Sequence, residues 1–406
     1  MKSGDMKIRL EEYILVFLLM CASGNPAFME LGGSFIYLLI VLFTVVVFSR
    51  RIPSLAWRKV LQWALLLLVI FIGQLISLHK IGYLASLNYV FKIATAILAV
   101  YILKEKFAPV YLKLMVLLSG ISLFCWTLNV FGIYLPTFFH FGNHTDSLLL
   151  YTQAQYGYHT SIAGPRNFGM FWEPGAFSGY IMVTFLLYIN RLDYLWTNHR
   201  GKVILLVAAL LTTFSTTGYI IFFVLVFFFL NDRVKNRVSF VFLAIIAALL
   251  MIRFFTSTGF LGSKIEGEYE SAIMMDEYDV NFSRFGAMIF DWQYIKLHPI
   301  FGNGLLNETR FSMHISFADD LAAFGNGFSG EIATFGIPFM LFYLFAVYQN
   351  PYLRKKWRLL LLLVLQLQGE YFLNYPLFFI FPFVMYYREE LIDELKPSIV
   401  KPQVIV

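Results

Sequence analysis

Residues 110–128 read VYLKLMVLLSGISLFCWTL, nineteen positions with a single charge, Lys113. As an α-helix this stretch rises about 28 Å, close to the hydrocarbon core of about 30 Å that a membrane helix must cross. Two further runs, Phe35 to Phe48 and Phe240 to Phe255, approach the same length. None shows the strict apolar/polar alternation of barrel strands, and a lipid-facing segment with open backbone has no hydrogen-bond partner, so helices are the economical reading. The whole chain agrees: 406 residues, 59% hydrophobic, 14% charged and 45 Phe, against about 25% charged in soluble domains. The expected class is an all-α polytopic membrane protein, a single integral membrane domain over 1–406.

Twelve transmembrane helices are expected, near 12–24, 34–49, 60–78, 84–103, 109–131, 174–190, 203–212, 217–230, 238–255, 331–349, 357–368 and 372–387. The seventh and eighth are shorter than a crossing. They flank the polar patch Thr212 to Gly218, which predicts a tight turn or a broken pair at an interface. If both termini are cytoplasmic, 22 of the 31 Lys and Arg fall on that side, as the positive-inside bias requires. The net charge of +6 therefore reads as topology and implies no nucleic-acid partner. Two long loops, 132–173 and 256–330, then face outward. The second holds ten acidic residues from Glu266 to Asp320 against Lys264, Arg284, Lys296 and Arg310, so an arginine used there on an anion must be shielded from that field.

Cys21 and Cys125 lie in apolar runs without CxxC or Cys/His spacing and read as core residues, not as a disulfide or zinc site. His140, His144 and Asp146 form no convincing metal set, and no metal or cofactor is expected. Asn143-His144-Thr145 matches a glycosylation sequon, a weak pattern.

Chemistry concentrates in the outer loops. Gly164 to Gly175 (GPRNFGMFWEPG) places a cation, an amide and a carboxylate, Arg166, Asn167 and Glu173, just before the sixth helix. Pro174 suits a first helical turn and Glu173 its N-terminus, so the bland reading is a cap paired with Arg166, and the sharper one is substrate binding or proton transfer. In the second loop, Phe285, Met288, Ile289, Trp292 and Ile295 recur at helical spacing opposite Asp291, Gln293 and Lys296. That pattern predicts an amphipathic helix, N-capped by Ser283 and ended by Pro299, Gly302 and Gly304. Arg284 then occupies the first turn, where a cation opposes the helix dipole. A bound anion or a salt bridge would resolve the conflict. His298 reads first as a satisfied helix-end residue and second as a base.

The Arg166 to Gly175 segment before a helix, the Thr212 to Gly218 turn, the outer loop with Arg284 and His298-Pro-Ile-Phe-Gly-Asn-Gly304, and Asn326 to Gly336 before a helix together resemble the O-antigen polymerase and ligase superfamily, most nearly a Wzy-type polysaccharide polymerase. The resemblance covers about 160–340. It implies a GT-C-like architecture in a bacterial inner membrane and a metal-independent glycosyltransferase. This enzyme would move a growing glycan from undecaprenyl diphosphate onto a new lipid-linked repeat unit at the outer face, for O-antigen, lipopolysaccharide or capsule. Membrane lipid, a chain-length regulator and a flippase are its implied partners. Arg166 and Arg284 would stabilise the diphosphate leaving group, with the base to be sought among Glu173, Glu331, His298 and His314, Glu173 first. Asn167, Trp172, Tyr219, Trp292, His298, Asn326 and Glu331 would line the substrate site. The ligase branch uses a histidine near the following helix, whereas Phe324 to Phe328 contains none, which weakens transfer to a lipid core as an alternative. A lipid-linked oligosaccharide flippase is the principal non-enzyme alternative and predicts functional charges inside the helices. A metal-dependent glycosyltransferase ranks lower, because the loop after the first helix holds only Glu30.

Overall fold

The computed structural model describes residues 8–32, 35–141, 145–154, 160–161, 164–234, 284–313 and 326–387. The span expected at 238–255, the sequon, Ser283, His314, most of the acidic run and the side chain of Arg284 lie outside the described residues. The protein is mostly helical. Its described helices are α1 (Leu10–Cys21), α2 (Pro26–Gly32), α3 (Ile36–Phe48), α4 (Ser54–Leu78), α5 (Tyr83–Leu103), α6 (Phe107–Val130), α7 (Pro174–Leu187), α8 (Leu192–Leu211), α9 (Thr216–Arg233), α10 (Arg284–Leu297), α11 (Asn307–Arg310), α12 (Gly327–Phe335), α13 (Ile337–Tyr348) and α14 (Lys356–Leu367). Among the described residues, Ser54–Leu78, Tyr83–Val130 and Thr216–Arg233 are long and apolar enough to cross a membrane, and Gly327–Tyr348 makes a fourth if its bent pair is one span.

Three expected spans are corrected. The segment 203–212 lies in the second part of α8, which begins at Leu192 and is kinked at His199 (φ −134°, ψ 31°), so the stretch between Arg191 and the kink is helical and not a loop. The segment 331–349 is broken: α12 and α13 meet at 120° across Gly336. Finally, 372–387 contains no α-helix, only the 3-10 turns Phe372–Asn374 and Pro376–Ile380 followed by irregular chain. Pro376 and Pro382 remove donors there, and neighbouring helices answer the exposed carbonyls. The Asn350 amide donates to Phe381 O and Val384 O, both at 3.0 Å, and the Tyr343 hydroxyl to Phe378 O at 2.8 Å. Irregular backbone inside a bundle is tolerable on those terms.

The first expected span also stops early. After α1 the chain turns through Gly24, at φ 99°, where a Cβ would overlap the Trp172 ring. The Asn25 amide then ties this turn to Met170 O at 2.7 Å. Within the core, Trp63 meets Phe339, Phe342, Phe379 and Phe383 edge-on, binding α4 and α13 to the irregular C-terminal segment.

The loop 132–173, expected to face outward, is not plain coil where it is described. β1 (Phe139–Phe141), β2 (Thr145–Ser147) and β3 (Thr152–Ala154) form an antiparallel sheet, and β4 (Thr160–Ser161) pairs with β5 (Gly164–Pro165). His140 and Asp146 are register partners on β1 and β2, 2.7 Å apart at Nδ1 and Oδ1.

The amphipathic helix exists as α10, but its inward face differs from expectation. Ala287, Phe290, Asp291 and Tyr294 are buried, whereas Met288, Ile289 and Trp292 are exposed. The inward carboxylate is the reason. Asp291 pairs with Arg310 and accepts from Ser329 Oγ at 2.5 Å, which turns the apolar Met288 and Trp292 outward, as an apolar surround permits.

Candidate functional site

The Arg166 to Glu173 stretch reaches α7 by way of the turn between α8 and α9. Asn167 is fully buried and acts as its staple: its backbone N–H donates to Thr212 O at 3.0 Å, its amide to Thr212 Oγ1 at 2.9 Å, and its Oδ1 accepts from Gly169 N at 3.0 Å and Ser122 Oγ at 2.5 Å. That anchoring leads Arg166 onto the same turn. Its guanidinium donates to Thr213 O at 3.1 Å and Phe214 O at 3.3 Å. Phe214 holds φ 49°, so the turn is tight and its carbonyls are freed from helical bonding. Tyr219, on the first turn of α9, donates to Leu211 O and is buried.

Glu173 stands at the N-cap of α7 in extended backbone, with Pro174 at N1. Trp172 stacks on Tyr375 at 4.6 Å between ring centroids.

Glu370 is the residue that gathers the elements. A Cβ on Gly175, in the first turn of α7, would overlap Glu370 Oε1; a Cβ on Gly327, in the first turn of α12, would overlap Glu370 O. Gly218, in the first turn of α9, lies so close to Ser178 of α7 that a Cβ there would stand 2.6 Å from its Oγ. The first turn of α7 thus closes on the Glu370 carboxylate, an end that favours negative charge, while α12 closes on the Glu370 main-chain carbonyl and α9 packs against α7 beside them. Asn326 and Ser215 cap α12 and α9. The Asn326 Oδ1 accepts from Phe328 N at 3.0 Å and Ser329 N at 3.1 Å, and the Ser215 Oγ accepts from Gly218 N at 3.2 Å. The opposite ends of α8, α9 and α14 carry basic residues: Lys355 and Arg358 pair with Asp232 there, and Arg191 and Arg233 line the same hollow. The site is therefore at the end of these helices away from the basic one.

The structure brings together Arg166, Asn167, Trp172, Glu173, Tyr219 and Asn326. Of the other candidates whose side chains are described, Glu331 borders this group through Tyr89, whose hydroxyl also reaches Leu373 O at 3.2 Å, and Trp292 and His298 belong to α10 and its end. Glu331 is buried on α12 and accepts from the Tyr89 hydroxyl, while nearby Lys92, also buried, donates to Asn374 Oδ1 at 2.9 Å. Trp292 points away from Asp291 and is 56% exposed. His298 closes α10, its N–H donating to Tyr294 O at 3.3 Å and its carbonyl accepting from Gly302 N at 2.9 Å. The segment it begins seals the α12/α13 break. Asn303 N and Gly304 N donate to Ala333 O and Thr334 O at 2.8 and 3.1 Å, and Ile337 N to Pro299 O at 2.8 Å.

No protein-family model, curated protein or solved structure matches this chain. The site's chemistry therefore rests on its own residues. Sequence reasoning missed Gln366, Glu370 and Tyr375. The signal was there: Gln366-Leu-Gln-Gly-Glu370 interrupts an apolar run with two amides and a carboxylate, at the end of the eleventh expected span, on the outward side of the expected topology.

Proposed function

We propose that the protein is a metal-independent glycosyltransferase of the Wzy polymerase type, about twelve transmembrane helices in a GT-C-like arrangement, extending a lipid-diphosphate-linked glycan at the outer face of a bacterial inner membrane. One observation carries this reading: a guanidinium (Arg166), two carboxylates (Glu173, Glu370) and the first turns of α7, α9 and α12 meet at one end of the bundle. A leaving diphosphate needs fixed positive charge as its bond to the anomeric carbon breaks. The attacking hydroxyl needs a proton acceptor. Cations and helix N-termini supply the first, carboxylates the second, and Arg284 is the second arginine assigned to the diphosphate.

The test uses purified protein in nanodiscs with a defined lipid-diphosphate oligosaccharide and EDTA, reading product length by mass spectrometry. A ladder from wild type that falls at least about 100-fold in rate in Arg166→Ala and Arg284→Ala is expected. A ladder undiminished in both folded variants overturns the assignment.

The flippase alternative gains support from a different observation. Lys92 and Glu331 are charges inside expected spans, and α12 and α13 form a discontinuous helix, features that mark ion and substrate pathways in transporters. Transport of a fluorescent lipid-linked oligosaccharide across proteoliposomes, abolished by Lys92→Met, would favour it over polymerisation.

A further inference from the structure

A cleft of about 500 Å³ opens between α7, α8 and α9, lined by Leu195, Val203, Val207, Leu211, Phe222 and Val226 among others. That is the size of an ordinary ligand pocket, about 300–1,000 Å³. Every described residue on its walls is aliphatic or aromatic. Phe185, Leu195 and Leu225 at its bottom are at most 4% exposed, whereas Ile204 at its mouth is 54% exposed, so the cleft opens onto whatever surrounds the bundle. Because α9 is long and apolar enough to cross a membrane, that surround is hydrocarbon.

The cleft has a polar end. Leu192, Trp196 and Leu230 line it, and beside them on the same two helices Arg191, Asp193, Thr197, Asp232 and Arg233 line a second hollow of about 430 Å³, completed by Lys355. Phe229 belongs to both walls, so the two spaces adjoin. In the hollow Lys355 and Arg358 pair with Asp232, Arg358 at 2.7 and 2.8 Å, and Arg191 lies 3.5 Å from Asp193. Arg233 reaches the Thr197 hydroxyl at 3.5 Å and lies over the Phe229 ring at 5.0 Å. Four cations thus face two carboxylates, and positive charge is left over. Trp196 marks the depth. Its indole meets Phe229 edge-on at 6.4 Å and carries the Arg200 guanidinium over its ring at 5.2 Å, a neighbourhood that suits the level where a bilayer meets water.

The two spaces together select the occupant. The apolar walls offer nothing to a free anion, and the basic hollow offers nothing to a bare hydrocarbon. A molecule that joins a hydrocarbon chain to one anionic head satisfies both. We propose that cleft and hollow hold one anionic phospholipid of the surrounding bilayer, of the phosphatidylglycerol class, with an acyl chain between α8 and α9 and its phosphodiester at Arg191, Arg233 and Lys355. The site lies at the basic end of the bundle, which the positive-inside bias assigns to the cytoplasmic leaflet, and it stands independently of the reaction at the other end. The same two helices meet at the turn that holds Arg166, so the lipid braces the pair that carries it.

The experiment reconstitutes the full chain in nanodiscs of equal parts phosphatidylglycerol and phosphatidylcholine and reads the retained lipid by native mass spectrometry. Wild type is expected to retain one phosphatidylglycerol, preferred about tenfold over phosphatidylcholine, since each cation near an anionic lipid contributes a factor of about five. Arg191→Gln combined with Arg233→Gln is expected to erase that preference. Ala208→Phe, on the cleft wall and away from the hollow, is expected to abolish retention. Equal retention of the two lipids by wild type, or a preference unmoved in the double variant, overturns the headgroup site. Phosphatidylglycerol retained undiminished by Ala208→Phe overturns the cleft as the place of its chain. Should Ala208→Phe lose its monodisperse size-exclusion peak, Ile204→Trp at the exposed mouth takes its place, and undiminished retention overturns the site equally. Wild type that retains neither lipid overturns the proposal outright, as it would if the chain itself filled the cleft.

Discussion

Two polar regions flank α12, and they are built on opposite terms. On one side, Asp291, Arg310 and Ser329 form a charge-paired set in which only Arg310 Nη1 has no hydrogen-bond partner among the described residues. Arg310 reaches Asp291 and donates to Thr334 Oγ1 at 3.2 Å, lies over the rings of Tyr294 and Phe311, and Ser329 donates to the other Asp291 oxygen. On the other side, Glu370 and Gln366 face glycines and small hydroxyls across a cavity, with an amide left unpaired. Both regions are buried, so burial does not separate a structural cluster from a candidate site. What separates them is that the first neutralises its own charge through the Asp291–Arg310 pair, whereas the second leaves a whole amide, donor and acceptor alike, without a partner among the described residues.

The comparison is broken most severely through the charge-paired set. Arg310→Ala leaves the Asp291 carboxylate buried without its cation, which costs about 3–5 kcal/mol. The expected outcome is a loss of folded protein on fluorescence size-exclusion. The double variant Asp291→Leu, Arg310→Met should recover most of it, since replacing both partners of a buried pair with apolar groups is often neutral. Recovery of folded protein without recovery of the ladder would instead place the pair in the reaction.

A smaller effect tests the open side. Gly327→Ala puts a methyl against the Glu370 carbonyl, main chain against main chain, so neither rotamer change nor a flexible side chain can relieve it. A loss of about 1–3 kcal/mol is expected, read as a lowered Tm in detergent, together with slower transfer as Glu370 is displaced from α7. An unchanged Tm would mean that α12 and the end of α14 are not locked together.

How far the sequence reached follows the same division. Long apolar runs such as 110–128 gave the membrane class and most helix positions, because lipid demands length and hydropathy whatever the neighbours do. The tight turn at Thr212 to Ser215 was legible from its polar patch. The start of α8 at Leu192 was not, because Arg191 to Lys202 reads as loop by composition, whereas long basic side chains on a helix end can reach water. The break at Gly336 was hidden too. It depends on Pro299, Asn303 and Gly304, thirty residues earlier in the chain, answering the freed groups. For the site, Arg166, Asn167 and Glu173 were found through their local motif. Glu370 was missed because its significance lies in contacts with Gly175 and Gly327, far away in sequence. The face of α10 was rotated for a related reason, with Ile295 buried as expected but Met288, Ile289 and Trp292 outward: Asp291 looks like a solvent residue until Arg310 is placed beside it.

The gentlest variants separate an answered amide from an unanswered one. Asn303 is buried, and its amide donates to Tyr294 O and Ala333 O, both at 2.9 Å. Asn303→Leu removes two hydrogen bonds, leaving Tyr294 O and Ala333 O only their backbone donors, His298 N and Asn303 N, and should cost about 1–3 kcal/mol. Gln366 is equally buried but gives up no described partner, so Gln366→Leu removes two unsatisfied groups and adds apolar contact. Its stability should be unchanged or raised by up to about 1 kcal/mol, measured as Tm in the same detergent. A stability loss in Gln366→Leu as large as that of Asn303→Leu would mean that the amide already has a tightly held partner, a water built into the fold.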